Sequence, residues 1–185
     1  LPVQSGSSKI LKAMNRKHDV EQYTKIITNL KKIKPNIKFS SDFIIGYPGE
    51  TEIDFQETIK LIEKTRFINS YSFIYSARPG TPASKLSIVK NEVAKKRLVE
   101  LQKTLERINM QSKKEFLSQT TEVLFENKMK DQNKYFGRDK FLNSVIVESE
   151  ENLSGQIFNV IINNFNHNSL FGSIVSKKLC SVTNV

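Results

Sequence analysis

Ser41-Asp42-Phe43-Ile44-Ile45-Gly46-Tyr47-Pro48-Gly49-Glu50-Thr51 runs from an apolar strand into the start of a helix. Its first half closes an apolar, β-branched run, Ile37 to Gly46, and such a run predicts a strand buried on both faces. Thr51-Glu52-Ile53-Asp54 has the form of a capping box, and Phe55, Ile59 and Ile62 follow on one helical face. On the N-terminal side, Leu1–Val3 reads as the tail of a strand, and Ser7 or Ser8 caps a short helix carrying Ile10, Leu11 and Met14. Asp19 opens a longer helix in which Val20, Tyr23, Ile26, Ile27, Leu30 and Ile33 follow the 3.6 period until Pro35 stops it. On the C-terminal side, Tyr71 to Ser76 is the next strand. The order β-α-β-α-β implies an α/β fold with a parallel sheet and right-handed crossovers.

Asn91 is expected to cap a long helix reaching about Phe116, with Ala94, Leu98, Leu101, Leu105 and Ile108 as its apolar stripe. Beyond residue 120 the texture changes to short strand-like runs separated by Asn, Ser and Gly turns. The runs fall near Glu122–Glu126, Lys134–Arg138, Val145–Val147, Ile157–Ile162 and Leu170–Val175, which suits a small all-β barrel of the OB type. The expected domains are therefore 1–119 and 120–178, with a tail at 179–185.

The chain of 185 residues carries 29 Lys and Arg against 19 Asp and Glu, a net charge of +10. The surplus is confined to residues 1–119, and residues 120–185 are neutral. A polyanionic partner is a reasonable expectation from such a balance. The single cysteine, Cys180, excludes an internal disulfide and a cysteine-rich metal cluster held by this chain alone. No run of about 18 apolar residues and no signal-peptide pattern occur, so no membrane partner and a reducing, cytoplasmic setting are expected.

In parallel α/β folds, ligands bind at the C-terminal ends of the strands. Here those ends are Gln4-Ser5-Gly6-Ser7, Gly46-Tyr47-Pro48-Gly49-Glu50-Thr51 and Tyr75-Ser76-Ala77-Arg78-Pro79-Gly80-Thr81-Pro82. Three loops rich in Gly, Pro and hydroxyl groups on one edge make a rim for a polar cofactor. Gly46-x-x-Gly49 is neither a P-loop nor a dinucleotide fingerprint, because the Gly-Lys-Ser/Thr of the one and the Gly-x-Gly of the other are missing. No Gly-x-Ser-x-Gly elbow is present. His18 and His167 stand in polar turns without a second ligand at metal spacing and read as surface residues. Asp42 and Glu50 flank one strand end but are too far apart in sequence to name as an acid/base pair. No catalytic group follows from residue chemistry.

The stretches Leu1-Pro2-Val3-Gln4-Ser5-Gly6-Ser7, Met14-Asn15-Arg16, Ser41 to Thr51 and Phe73-Ile74-Tyr75-Ser76-Ala77-Arg78-Pro79-Gly80-Thr81-Pro82-Ala83 together resemble the radical S-adenosylmethionine methylthiotransferases. Asn15 with His18 and the Tyr75–Pro82 run resemble the tRNA branch of that family. Gly137-Arg138 and Asn168-Ser169-Leu170-Phe171-Gly172 resemble its C-terminal RNA-binding TRAM domain. The resemblance implies the C-terminal part of a parallel radical SAM barrel, a long helix and a TRAM barrel. It implies a transferase that adds a 2-methylthio group to isopentenylated adenosine beside the tRNA anticodon, using S-adenosyl-L-methionine and two 4Fe-4S clusters. The cysteines that hold those clusters in the family are absent from this chain, so alone it is expected to bind no cluster and to be inactive. A separate N-terminal half carrying them is then the expected protein partner. The alternative reading is a free RNA-binding module, or a split or decayed gene product. By the same resemblance, Gln4, Ser5, Ile44, Gly46, Glu50, Phe73, Tyr75, Ser76 and Arg78 fall at cofactor-binding positions. Lys128, Lys130, Lys134, Arg138 and Lys140, interleaved with Tyr135 and Phe136, offer charge for phosphates and rings for base stacking.

Overall fold

The computed structural model describes residues 1–130 and 132–177. The expected tail at 179–185 and Cys180 lie outside the described residues. The chain divides into two compact units, Leu1–Asn109 and a second beginning at Met110.

The first unit begins with α1, Ser8–Ala13, capped by the Ser7 side chain, and α2, Val20–Ile33, opened by a reciprocal capping box of Asp19 and Gln22. The strand β1, Asp42–Ile45, leads into α3, Glu52–Thr65, and then β2, Tyr71–Ile74. β1 and β2 pair in parallel, Asp42 with Tyr71 through Ile45 with Ile74. Gln4 forms an isolated parallel bridge to Phe43 on the other side of β1. A 3-10 turn, Pro82–Lys85, precedes the long helix α4, Asn91–Lys114. Phe43, Ile45, Phe55, Ile62, Phe67 and Leu101 are buried in one cluster with Val3, Leu11 and Tyr23.

Four local expectations shift. The strand occupies only Asp42–Ile45 of the apolar run Ile37–Gly46, because its partner β2 is four residues long. β2 likewise stops at Ile74, although the Tyr75 amide still reaches Ile45 O at 2.8 Å. On α2, Tyr23 and Ile27 are buried but Ile26 and Ile33 are exposed. The contact stripe follows positions 23, 27 and 30, which leaves Ile26 beside it and Ile33 on the last turn. Asn91 is the first helical residue of α4, not its cap; the Ala94 amide bonds Lys90 O at 3.0 Å. The apolar stripe of α4 is as expected, with Ala94, Leu101, Leu105 and Ile108 all buried.

The second unit is a closed barrel of β3, Thr120–Lys128, β4, Lys134–Asp139, β5, Ser144–Glu148, β6, Ile157–Phe165, and β7, Ser169–Lys177. The ring order is β3-β4-β5-β7-β6, antiparallel except for the parallel pair β5–β7. Each of the five apolar runs of the sequence is one of these strands. Val123, Phe125, Tyr135, Val145, Val147, Phe158, Val160, Ile162 and Leu170 fill the interior. Two glycines allow neighbouring strands their close approach. A Cβ on Gly172 would lie 2.3 Å from Ile161 O, and one on Gly137 would lie 2.5 Å from Leu124 O. Among the described residues no helix is long and apolar enough to cross a membrane.

Candidate functional site

Alternation along the two short strands splits their side chains between two faces. Phe43 and Ile45 point into the core and are fully buried. On the opposite face, Asp42 stands beside Tyr71 and Ile44 beside Phe73. Tyr71 is 67% exposed and Phe73 55%, so this face of the sheet is an open apolar surface. Gln4 joins it at the edge: the Ile44 amide bonds Gln4 O at 2.9 Å and the Gln4 amide bonds Asp42 O at 3.0 Å. Gln4 has φ +76, an unusual conformation for a side chain with a Cβ. The sheet therefore brings Gln4, Ser5, Ile44, Gly46, Phe73 and Tyr75 to one end. Ser5 is buried and lies against Thr58 Oγ1 at 3.4 Å. Tyr75 packs edge-on against Tyr47, ring centroids 5.0 Å apart, and its buried hydroxyl has no hydrogen-bond partner. Ser76 and Arg78 are exposed on the loop that follows.

The loop after β1 is held from two sides. On one side, Asp54 is a buried hub. It accepts hydrogen bonds from Ser7 Oγ at 2.7 Å, Lys9 Nζ at 2.8 Å, Thr51 Oγ1 at 2.6 Å and the Thr51 amide at 2.8 Å. Lys9 Nζ also reaches Gly49 O at 3.2 Å. Burial would push the Asp54 carboxyl up, but the donors from Lys9, Thr51 and Ser7 outweigh it and hold the group well below the usual carboxylate range. On the other side, Glu50 is buried and does not point at the open face. Its two oxygens accept the Gly46 amide at 3.2 Å each, and Oε1 pairs with Arg97 Nη1 at 2.8 Å. Glu50, expected among cofactor contacts, is thus engaged inside the protein. Arg97 was hidden in the basic run Lys95-Lys96-Arg97; its place three residues after Ala94, on the apolar stripe, was the available signal.

Asp54→Ala is expected to destabilise the first unit by about 2–3 kcal/mol at neutral pH. The sign of the pH dependence follows from the lowered pKa. The contribution of Asp54 is complete above its unfolded value of about 4 and is lost as pH falls through the lower folded value. Urea titrations of parent and variant at neutral pH and in acid check this. The difference should persist at neutral pH and shrink only in acid.

The histidines separate. His167 is exposed as read, but His18 is half-buried, stacks loosely on Tyr23 at 6.1 Å and has a buried Nε2 without a hydrogen-bond partner. It is not a plain surface residue.

On the barrel, Lys128, Arg138 and Lys140 are exposed along or beside β3 and β4, with Lys130 in the intervening turn and Lys134 half-buried. Two of these cations have carboxylate partners: Arg138 Nε meets Glu126 at 3.0 Å and Lys134 Nζ meets Glu148 at 3.4 Å. Tyr135 is a correction. It is 4% exposed and sits in the barrel core, so its ring is not open to a base. The strand alternates Lys134 outward, Tyr135 inward, Phe136 outward, and this period of two was legible in the sequence. Phe136 is the half-buried outward ring, and the Arg138 guanidinium lies 5.3 Å from its centroid.

Thiolates are the ligands that hold iron–sulfur clusters. The one cysteine lies outside the described residues, and among those no group of three His, Cys, Asp or Glu is gathered as a metal set. The residues described here do not fit a cluster. Ile44 and Phe73 form an open apolar face at this end of the sheet, with Gln4 at its edge.

The model of the radical SAM superfamily matches residues 1–62. Over 96% of its length the chain is 50% identical to a tRNA-2-methylthio-N(6)-dimethylallyladenosine synthase of Pelagibacter ubique (strain HTCC1062), of which it covers 40%. It is 47% identical over 93% of its length to the protein of that name from Wolbachia pipientis wMel, again covering 40%. It is 44% identical over 94% of its length to that of Ehrlichia canis (strain Jake), covering 40%. The chain spans about two fifths of the length of the curated relatives it matches.

Proposed function

We infer from a likeness that runs the length of the chain that it belongs with the radical S-adenosylmethionine tRNA methylthiotransferases and forms the C-terminal part of such an enzyme. On this reading residues 1–119 are the end of a parallel radical SAM barrel with its connecting helix, and 120–178 are an OB-like TRAM domain. The substrate is tRNA, the target an isopentenylated adenosine beside the anticodon, and the product its 2-methylthio form. S-adenosylmethionine and 4Fe-4S clusters supply the radical and group-transfer chemistry when bound, and the cluster ligands come from outside this chain. A separate N-terminal portion is then the protein partner, and the setting is cytoplasmic.

The residues of this chain bind and orient. Phe73 and Ile44 offer an apolar face for the adenine with Gln4 at its edge, and Ser5 supports that strand end from inside, against Thr58. Tyr75 and Ser76 close its far end, and Arg78 offers a guanidinium suited to a carboxylate or a phosphate. Gly46 and Glu50 shape the loop instead of touching the ligand. On the barrel, Lys128, Lys130, Lys134, Arg138 and Lys140 meet RNA phosphates, with Lys134 and Arg138 exchanging their carboxylate partners for them. Of the two rings, Phe136 stacks on a base, since Tyr135 is buried in the barrel. The observation that carries the reading is the 50% identity over nearly the whole chain.

The test is a chimera. The matching C-terminal two fifths of the Pelagibacter relative is replaced by this chain, and 2-methylthio nucleosides are measured in tRNA by mass spectrometry. Modification above that of the relative truncated before the match is the expected result. A well-folded chimera that loads its clusters and makes no product overturns the reading.

A further inference from the structure

Arg97 is a charged residue set into the buried face of α4: its side chain is 8% exposed, between the buried Ala94 and Leu101. A helix that needed only to pack would carry an apolar residue there, since a buried ion pair seldom outperforms one in stability. The guanidinium gives Nη1 to Glu50 Oε1 at 2.8 Å and to Glu50 O at 3.3 Å, and Nε to Glu52 Oε2 at 3.1 Å. It also lies 5.6 Å from the Phe55 ring centroid. Glu50 in turn holds the Gly46 amide with both oxygens. Gly46 is the residue where β1 turns away, at φ +74, and a Cβ on it would come within 2.9 Å of Ala94 Cβ on α4. One turn of α4 therefore sets the loop twice, through Ala94 by shape and through Arg97 by charge.

We propose that Arg97 is a positioning residue for the adenosyl cofactor, fixing the Gly46–Thr51 loop by holding the carboxylate that receives the Gly46 amide. The proposal rests on the reading of these strand ends as the cofactor edge. Arg97 touches no ligand and acts through Glu50. Its signature is electrostatic. The charged groups facing the Glu50 carboxylate are Arg97 from α4 and Asp54 from α3, and Glu52 of α3 shares the Arg97 guanidinium. Burial already pushes Glu50 up, against the pull of the Gly46 amide and Arg97. Without Arg97, Glu50 is neutral and stays inside at low pH. As pH rises through its elevated value it ionises, seeks water, and pulls the loop from Gly46.

Two readouts on the full chain decide this: hydrogen exchange of the 46–51 amides between about pH 5 and 8, corrected for intrinsic rates, and calorimetric binding of S-adenosylhomocysteine. In Arg97→Met the loop should lose protection about tenfold more at the upper end of that range than at the lower, while α4 stays protected. Binding should weaken about tenfold. Glu50→Gln added to Arg97→Met removes the buried charge and should flatten the pH profile; this pair carries the test if the single variant fails to fold. Parent-like protection at every pH overturns the proposal. So does a pH-independent loss spread evenly over α3 and α4, which marks a merely structural role. A parent chain that takes up no S-adenosylhomocysteine overturns the cofactor reading and the ligand half of this proposal, and the exchange profile alone then decides whether Arg97 sets the loop.

Discussion

Gly172→Ala is expected to cost the barrel at least about 3 kcal/mol, the upper end for inserting an atom into a packed interior. The added Cβ would meet Ile161 O at 2.3 Å and Val160 Cγ1 at 2.6 Å. The first of these is backbone, in the middle of a paired strand, and cannot rotate aside. β6 and β7 would have to separate where Ile162 pairs with Gly172. Thermal unfolding followed by circular dichroism checks it. Gly155→Ala is the control in the same barrel. Gly155 has φ +74 but nothing within 4 Å of a new Cβ, so only the backbone preference is lost, about 1 kcal/mol. Equal losses at the two sites would mean that the strands are not as close as described.

Phe43→Ala is expected to remove about 4 kcal/mol from the first unit. Its ring is fully buried and meets Phe67 edge-on at 5.4 Å and 78°. Its backbone sits at the centre of the sheet, between Gln4 and Ser72. Most small domains hold only about 5–15 kcal/mol in total, so the loss is a large share. Four of the five tyrosines, Tyr23, Tyr47, Tyr71 and Tyr75, lie in this unit. Near-ultraviolet circular dichroism in a urea titration should therefore move to lower denaturant. Barrel amides should keep their exchange protection if the barrel folds on its own, and their loss would refute that independence.

What could be read from the sequence was local or periodic. The Thr51–Asp54 capping box, the stripe of α4 and the five barrel strands each declare themselves within one element, through a cap at fixed offset or a period of 3.6 or 2. What could not be read depends on residues far apart. Arg97 and Glu50 are 47 residues from one another, and no local pattern pairs them. The exposure of Phe73 was also out of reach, because its alternation with Ser72 and Ile74 does not say which face has a cover. Tyr135 differs, since the inward–outward rhythm of Lys134 to Asp139 was there to be followed. His18 shows the converse: a polar turn in the sequence need not be an open one, because Tyr23 of the next helix closes over it.

The ring order β3-β4-β5-β7-β6 fixes a sequence of events during synthesis. β3, β4 and β5 form a meander that can pair as soon as each emerges. β6 cannot extend it: it must pass β5 by and pair with β3, Thr120 against Ile161. A gap then remains between β5 and β6, and β7 alone fills it, parallel to the one and antiparallel to the other. The last of these five strands is thus the keystone. Until Lys177 has left the ribosome, the nascent barrel presents two unsatisfied strand edges. A stop codon anywhere before β7 would release a chain whose remaining strands are intact in sequence and unable to close.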